Sequence, residues 1–158
     1  MSGEILLLSG PNLDQLGTRS PEIYGYQTLA DHVARFRSRA LGAGYAVRDR
    51  QSNFEGDLIE AVRDAREECV ALVVNAGALS HVSWALTDAL ANFPGPKVEV
   101  HLSNPAAREP FRHVSTLAAV VDGSIAGFGA LSYDLAFEAL RKLLDERATS
   151  AGGGEAPA

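Results

Sequence analysis

The 158-residue sequence predicts an α/β fold in which a doubly wound parallel β-sheet is covered by helices on both faces. Three observations carry that expectation. Five strand-like runs alternate with helix-like segments along the chain. Val70-Ala71-Leu72-Val73-Val74 is a continuous aliphatic run, as in a strand buried on both faces. The loops after the first, third and fourth runs hold Asn12, Asn75 to His81, and His101 to Ser103, at the strand ends where open parallel sheets bind ligands.

The first strand covers about residues 4–9, with Ile5-Leu6-Leu7-Leu8 as its buried part. Ser9-Gly10-Pro11-Asn12-Leu13 then opens a long loop through Arg19 and Pro21-Glu22-Ile23-Tyr24-Gly25. Loops of that length in compact domains are uncommon and are either functional or disordered. Asn, Arg, Glu and Tyr set between Gly and Pro read as an active-site lid. Thr28 is the expected N-cap of the first helix. Leu29, Val33, Phe36 and Ala40 form its apolar stripe, and Gly42 or Gly44 stops it.

Residues 45–50 alternate as a second strand, and Gln51-Ser52-Asn53-Phe54-Glu55-Gly56 turns the chain into a helix with Leu58, Ile59, Val62 and Ala65 inward. The third strand ends at Asn75 and a glycine-containing loop reaches His81. A short helix over about 82–92 is ended by Pro94-Gly95-Pro96. Residues 98–103 form the fourth strand, and an irregular piece over 104–117 holds Arg108, Arg112 and His113. A fifth strand over about 119–125 leads through Gly127 and Gly129 to a last helix over about 131–147. A single domain is expected over 1–147, with 148–158 a flexible tail.

Composition narrows the function classes. The net charge of −6 argues against nucleic-acid and anionic-membrane partners. The single Cys69 excludes an internal disulfide and fits a reducing compartment. No apolar segment is long enough to span a bilayer, and Met1-Ser2-Gly3-Glu4 lacks the basic start of a signal peptide, so a cytoplasmic location is expected. A phospho-acceptor receiver would need an acidic pair after the first strand and Asp at the end of the third. Those places read Ser9-Gly10 and Asn75. No GxGxxG, GxxxxGK or GxSxG motif is present.

The four histidines differ in what they predict. His32 falls on the polar side of the first helix and is expected in solvent. For His81, capping or packing competes with ligand contact. His113 is open between ligand contact and surface. His101 is the informative one: Glu99, His101 and Ser103 project to one side of their strand, and Val98, Val100 and Leu102 to the other. An exposed edge strand would explain that alternation without function. A central strand tolerates a buried Glu and His only as a pair. Glu99 would then fix the tautomer of His101 and raise its basicity, which suits a proton donor near neutral pH. Metal-ligand spacing is lacking, so no metal site is expected. Tyr24 is permitted as a base. Tyrosine ordinarily titrates near 10, and each unit of depression takes ~1.4 kcal/mol of preferential phenolate stabilisation. One close guanidinium supplies effects of that size, and Arg19, Arg108 and Arg112 are available.

Several blocks together resemble one family: Gly10-Pro11-Asn12-Leu13, Leu16-Gly17-Thr18-Arg19, Pro21-Glu22-Ile23-Tyr24-Gly25, Gln51-Ser52-Asn53, Asn75-Ala76-Gly77-Ala78, His81, Glu99-Val100-His101-Leu102-Ser103-Asn104, Arg108-Glu109 and Phe111-Arg112-His113. In order and spacing, from about residue 5 to residue 145, they look like the type II 3-dehydroquinate dehydratases. The resemblance implies a flavodoxin-like, three-layer fold with five parallel strands in order 2-1-3-4-5. It implies the trans-dehydration of 3-dehydroquinate to 3-dehydroshikimate through an enolate, in the shikimate pathway toward chorismate and the aromatic amino acids. No metal, cofactor or Schiff-base lysine is implied. The alternative is a paralogous lyase acting on a related quinate-like cyclic acid.

The resemblance also implies roles. Tyr24 takes the C2 proton as a tyrosinate, which Arg19 on the lid stabilises while closing over the substrate. Asn12 and an ordered water stabilise the enolate. His101, oriented by Glu99, protonates the departing C1 hydroxyl. Asn75, His81, Ser103 with the Leu102 backbone, and Arg112 bind the ring hydroxyls and carboxylate, and Arg108 adds positive charge near the tyrosinate. Trimers assembling into a homododecamer are implied, with Asp88 reaching into a neighbour's site. Asp14-Gln15, Phe54, Thr87, Pro105-Ala106-Ala107, Val114 and Ser132 depart from the common pattern at the lid, the rim or subunit contacts, none of them at a proton-transfer residue. Asp14, if close to Arg19, is expected to compete for its guanidinium.

Overall fold

Each strand-like run finds a parallel partner. The computed structural model describes residues 3–152 and places β1 (Gly3–Ser9), β2 (Tyr45–Gln51), β3 (Cys69–Asn75), β4 (Lys97–His101) and β5 (Gly123–Ala126) in one sheet of order β2-β1-β3-β4-β5. All four pairings are parallel. The chain leaves β1 toward one edge and β3 toward the other, so strand order reverses between these neighbours. That reversal opens a crevice at their carboxyl ends.

The period-2 alternation of each strand splits the core into two layers. Ile5, Leu7, Ala71, Val73, Val98 and Val100 pack with α2 (Leu29–Gly42) and α5 (Leu131–Gly152). Leu6, Leu8, Leu72 and Val74 pack with α3 (Glu55–Glu68) and α4 (Trp84–Ala91). Thr28 caps α2 in a capping box: its hydroxyl accepts from the Asp31 N–H at 3.2 Å, and Asp31 accepts from the Thr28 N–H at 2.8 Å. Gly42 is the last helical residue, and Gly44 takes the left-handed conformation, φ +86°.

Several boundaries differ from the sequence expectation. The lid contains one helical turn, α1 (Pro21–Tyr24), started by proline at its first position. The segment after β3 divides into a 3-10 turn (Gly77–His81) and α4, because Ser83 caps α4 by accepting from the Leu86 N–H at 2.9 Å. The fifth strand starts late, since Leu117–Ala119 forms a 3-10 turn that drops Leu117 into the core. The last helix continues to Gly152, beyond the expected end at 147, and residues 153–158 of the expected tail lie outside the described residues.

His32 is the main correction. It is buried, 1% exposed, and stacks on Tyr133 of α5 at 5.3 Å between ring centroids. The apolar stripe of α2 is wider than Leu29, Val33 and Phe36 suggested: His32 lies three residues after the first and four before the last. α5 crosses this widened stripe. Neither ring nitrogen has a hydrogen-bond partner among the described residues. Burial pushes the His32 pKa down, the Asp31 charge opposing this and the Arg35 charge adding to it.

A histidine depressed in the folded state is neutral in both states above its ordinary value, and below that value the unfolded chain binds the extra proton. His32 therefore costs stability as pH falls below about 6.5. His32→Leu is expected to stabilise the fold by about 1 kcal/mol at pH 8 and by more at pH 5. Urea denaturation of both proteins at the two pH values measures it.

Candidate active site

The crevice closes around a backbone contact. A Cβ on Gly10 would lie 2.4 Å from the Ala76 carbonyl oxygen, so only glycine lets the loops after β1 and β3 meet. The Gly10 N–H donates to the Asn75 carbonyl at 2.8 Å. Asn12 follows in the left-handed conformation, φ +66°. Its N–H donates to Asn53 Oδ1 at 2.8 Å, while Gln51 Nε2 donates to the same oxygen at 3.2 Å and to the Gly10 carbonyl at 3.3 Å. The Gln51-Ser52-Asn53 motif is thus a strut beneath Asn12.

At the end of β3, the buried Asn75 side chain is oriented from both sides. Its Oδ1 accepts from the Gly77 N–H at 3.3 Å, and its Nδ2 donates to the Tyr133 hydroxyl at 3.1 Å. Burial pushes the Tyr133 phenol up to about 12, so it stays neutral. His81 Nδ1 lies 3.2 Å from the Val114 carbonyl. Burial pushes the His81 pKa down against that hydrogen bond, which favours the neutral ring.

At the end of β4, a strand flanked by β3 and β5, Glu99 is 1% exposed and His101 Nε2 lies 2.8 Å from its Oε1. The central-strand pairing expected from the alternation is present. Burial pushes the Glu99 carboxyl up, but hydrogen bonds from His101, Ser115 and Ser124, with the His101 charge, outweigh it and hold the pKa below the usual carboxylate value. With Nε2 turned to Glu99, Nδ1 is the second nitrogen of a ring that lines the cavity.

The lid meets this wall through Tyr24. Arg108 Nη1 donates to the Tyr24 hydroxyl at 2.9 Å and to Ser103 Oγ at 3.2 Å. Arg19 lies over the same ring, its Cζ 5.9 Å from the centroid. Of the two guanidiniums it is Arg108 that hydrogen-bonds the phenol oxygen. His113, left open by the sequence, is exposed and places Nε2 2.9 Å from the Arg108 carbonyl. Asp14 stands exposed on the 3-10 turn Leu13–Gln15, and among the described residues it forms no ion pair with Arg19.

One cavity of about 80 Å³ collects Asn12, Arg19, Tyr24, Asn75, His81, His101, Leu102, Ser103, Arg108 and Arg112. That is room for a small ring or a few waters. Glu99 sits behind His101, outside the lining. Asp88 is exposed on α4 and does not line the cavity of its own chain. Leu13 and Leu16, buried and three residues apart, form an apolar part of the wall that their spacing alone marks as a buried face. Ser115, Ser124 and Tyr133 carry no local sequence signal for the site; Ser124 is the β5 partner of Glu99, a relation that needs the strand register.

The lining holds three arginines and no carboxylate in a chain of net charge −6. Among the described residues no group of His, Cys, Asp and Glu gathers as a metal site. A phenol against a guanidinium and an imidazole against a carboxylate, in one small cationic cavity, can take a proton from and give a proton to a small carboxylated substrate.

The sequence model of the family described as Dehydroquinase class II matches residues 3–141. A 3-dehydroquinate dehydratase of Hyphomonas neptunium is 51% identical over 146 residues, covering 92% of this chain and 98% of that one. A 3-dehydroquinate dehydratase of Caulobacter vibrioides is 53% identical over 135 residues, covering 85% and 92%. The crystal structure of the type II dehydroquinase from Propionibacterium acnes superposes with a TM-score of 0.86 at 42% identity, covering 90% of this chain and 98% of that one.

Gly10→Ala forces the two loops apart and is expected to destabilise the protein by about 1–3 kcal/mol. A lowered urea midpoint, with weaker binding of a small carboxylated ring, is the measurement.

Proposed function

The chain belongs to the class II dehydroquinase family, and on that premise we infer that its reaction is the dehydration of 3-dehydroquinate to 3-dehydroshikimate, with Tyr24 as base and His101 as acid. The enzyme is a hydro-lyase. The observation that carries the assignment of roles is the shared cavity, in which Tyr24 on its guanidinium and His101 on its carboxylate both face the same small space.

The substrate carboxylate and hydroxyls meet Arg112, His81, Asn75 and Ser103. Tyr24, as phenolate, takes the C2 proton, and the C–H electron pair moves into the C3 carbonyl to give an enolate. The positive charge at the reacting oxygen comes from Arg108, whose Nη1 donates to it, with Arg19 covering the ring from the lid. Asn12, held by its strut, stabilises the enolate oxygen. The enolate then collapses, the C1–C2 double bond forms, and the C1 hydroxyl departs with the proton of His101 as water. Tyr24 and His101 return to their starting states by proton exchange with solvent.

The assembly belongs to the same reading: trimers joined into a homododecamer, with Asp88 completing a neighbour's site. It is supported by exposed Val82, Trp84, Phe111 and Val114 in the segments that carry His81 and Arg112, an apolar surface suited to burial by another subunit. The single Cys69, buried and unpaired, supports a reducing, cytoplasmic setting.

Tyr24→Phe and His101→Ala are each expected to lower kcat by about 10²–10⁴-fold with the circular dichroism spectrum unchanged, read by the ultraviolet absorbance of the enone product from 3-dehydroquinate. Retained turnover in either variant removes that residue from its role. Asp88→Asn is expected to raise KM in the assembled enzyme, and light scattering on the same sample gives the subunit number.

A further inference from the structure

Glu99 is held by more than its histidine. Ser115 Oγ lies 2.8 Å from Glu99 Oε1 and 2.9 Å from Oε2, and Ser124 Oγ lies 3.0 Å from Oε2. The Ser115 hydroxyl has little choice of direction. Its oxygen accepts from the Leu117 N–H at 3.1 Å, which leaves its own hydrogen for the carboxylate. Ser124 stands opposite Glu99 in the β4–β5 register, on the sheet edge and open to solvent. A carboxylate this buried needs its lone pairs met, and His101 reaches only one oxygen.

We propose that Ser115 and Ser124 are positioning residues for the reaction: their hydroxyls fix Glu99 as an ionised carboxylate, and through it they set how readily His101 gives up its proton to the leaving hydroxyl. This rests on the assignment of His101 as the acid. Ser115, shared between both oxygens, competes with His101 for Oε1, and Ser124 draws charge toward the far oxygen. The carboxylate then orients the imidazolium without binding its proton so tightly that the ring becomes a poor acid. Take a donor away and Glu99 becomes a stronger acceptor toward His101 Nε2. The imidazolium is then held more tightly and protonates the leaving group more slowly. The other charged or titratable groups facing the pair are His81 after β3, Arg108 and Arg112 after β4, and Tyr24 and Arg19 on the lid, all lining the same cavity. None of these five hydrogen-bonds Glu99.

The test is an NMR titration of the His101 ring in the whole enzyme, assigned by its loss in His101→Gln, combined with kcat and KM for 3-dehydroquinate. Ser115→Ala is expected to move the His101 midpoint alkaline by about half to one pH unit. Its kcat should fall about tenfold, with KM changed far less. Ser115→Thr, which keeps the hydroxyl, restores both. Ser124→Ala moves the midpoint the same way but less, because water can take the vacated place. It also decides the matter should Ser115→Ala fail to fold. Unchanged midpoints in the folded alanine variants overturn the proposal, as does a Ser115→Thr protein that behaves like Ser115→Ala. The titration reads the coupling of serine, carboxylate and imidazole without turnover, so its failure is distinct from loss of the dehydratase reading, which would appear as full activity in His101→Ala.

Discussion

Two backbones touch where the strand order reverses, and the site is built around that contact. At Gly10 there is no room for a β-carbon against the Ala76 carbonyl, so the loops leaving β1 and β3 are pinned together. Asn12 and the start of the lid are thereby set on one side of the crevice and Asn75 to His81 on the other. The rest is bracing. Asn53 and Gln51 hold Asn12 in its left-handed conformation, and Tyr133 holds the amide of Asn75. Groups that must act on one small molecule are fixed by bonds to the scaffold before it arrives, which is how positioning lowers a barrier.

Charge is distributed against the average of the chain. The protein carries −6 overall, yet the polar part of the cavity wall is arginine, histidine, amide and hydroxyl with no carboxylate. Local field, rather than net charge, selects the ligand. Two carboxylates stand just outside the lining: Glu99 is withdrawn behind His101 and satisfied by two serines, and the exposed Glu109 pairs with Arg112 Nε at 2.8 Å. Tyr24 has the opposite arrangement, with Arg108 on its oxygen and Arg19 over its ring.

His32 and Asp134 mark another way this chain departs from a plain hydrophobic interior. α2 meets α5 through an imidazole stacked on Tyr133, and beside it the Asp134 carboxylate, 3% exposed, takes Arg35 Nε at 2.9 Å and Arg39 Nε at 2.9 Å. The carboxylate is compensated and the imidazole is not. The Tyr133 that carries this stack is the residue that orients Asn75, so the helix interface and the cavity share a side chain.

The sequence by itself determined the layers and the chemistry. Period-2 and period-3.6 patterns are local properties, so Val70 to Val74 announced a central strand and Leu29, Val33 and Phe36 an inward helix face. Glu99 and His101, two apart on one strand, had to share a side and therefore a fate. What only the tertiary structure decided are relations between residues far apart in the chain. Arg108 rather than Arg19 reaches the Tyr24 hydroxyl because an irregular segment with no periodicity folds back under the lid. His32 is buried because α5, a hundred residues later, crosses its face, which no property of α2 alone discloses. Ser115 and Ser124 stand behind Glu99 because of strand register and a late 3-10 turn, and register is set by pairing across the sheet, not by the run of residues within one strand.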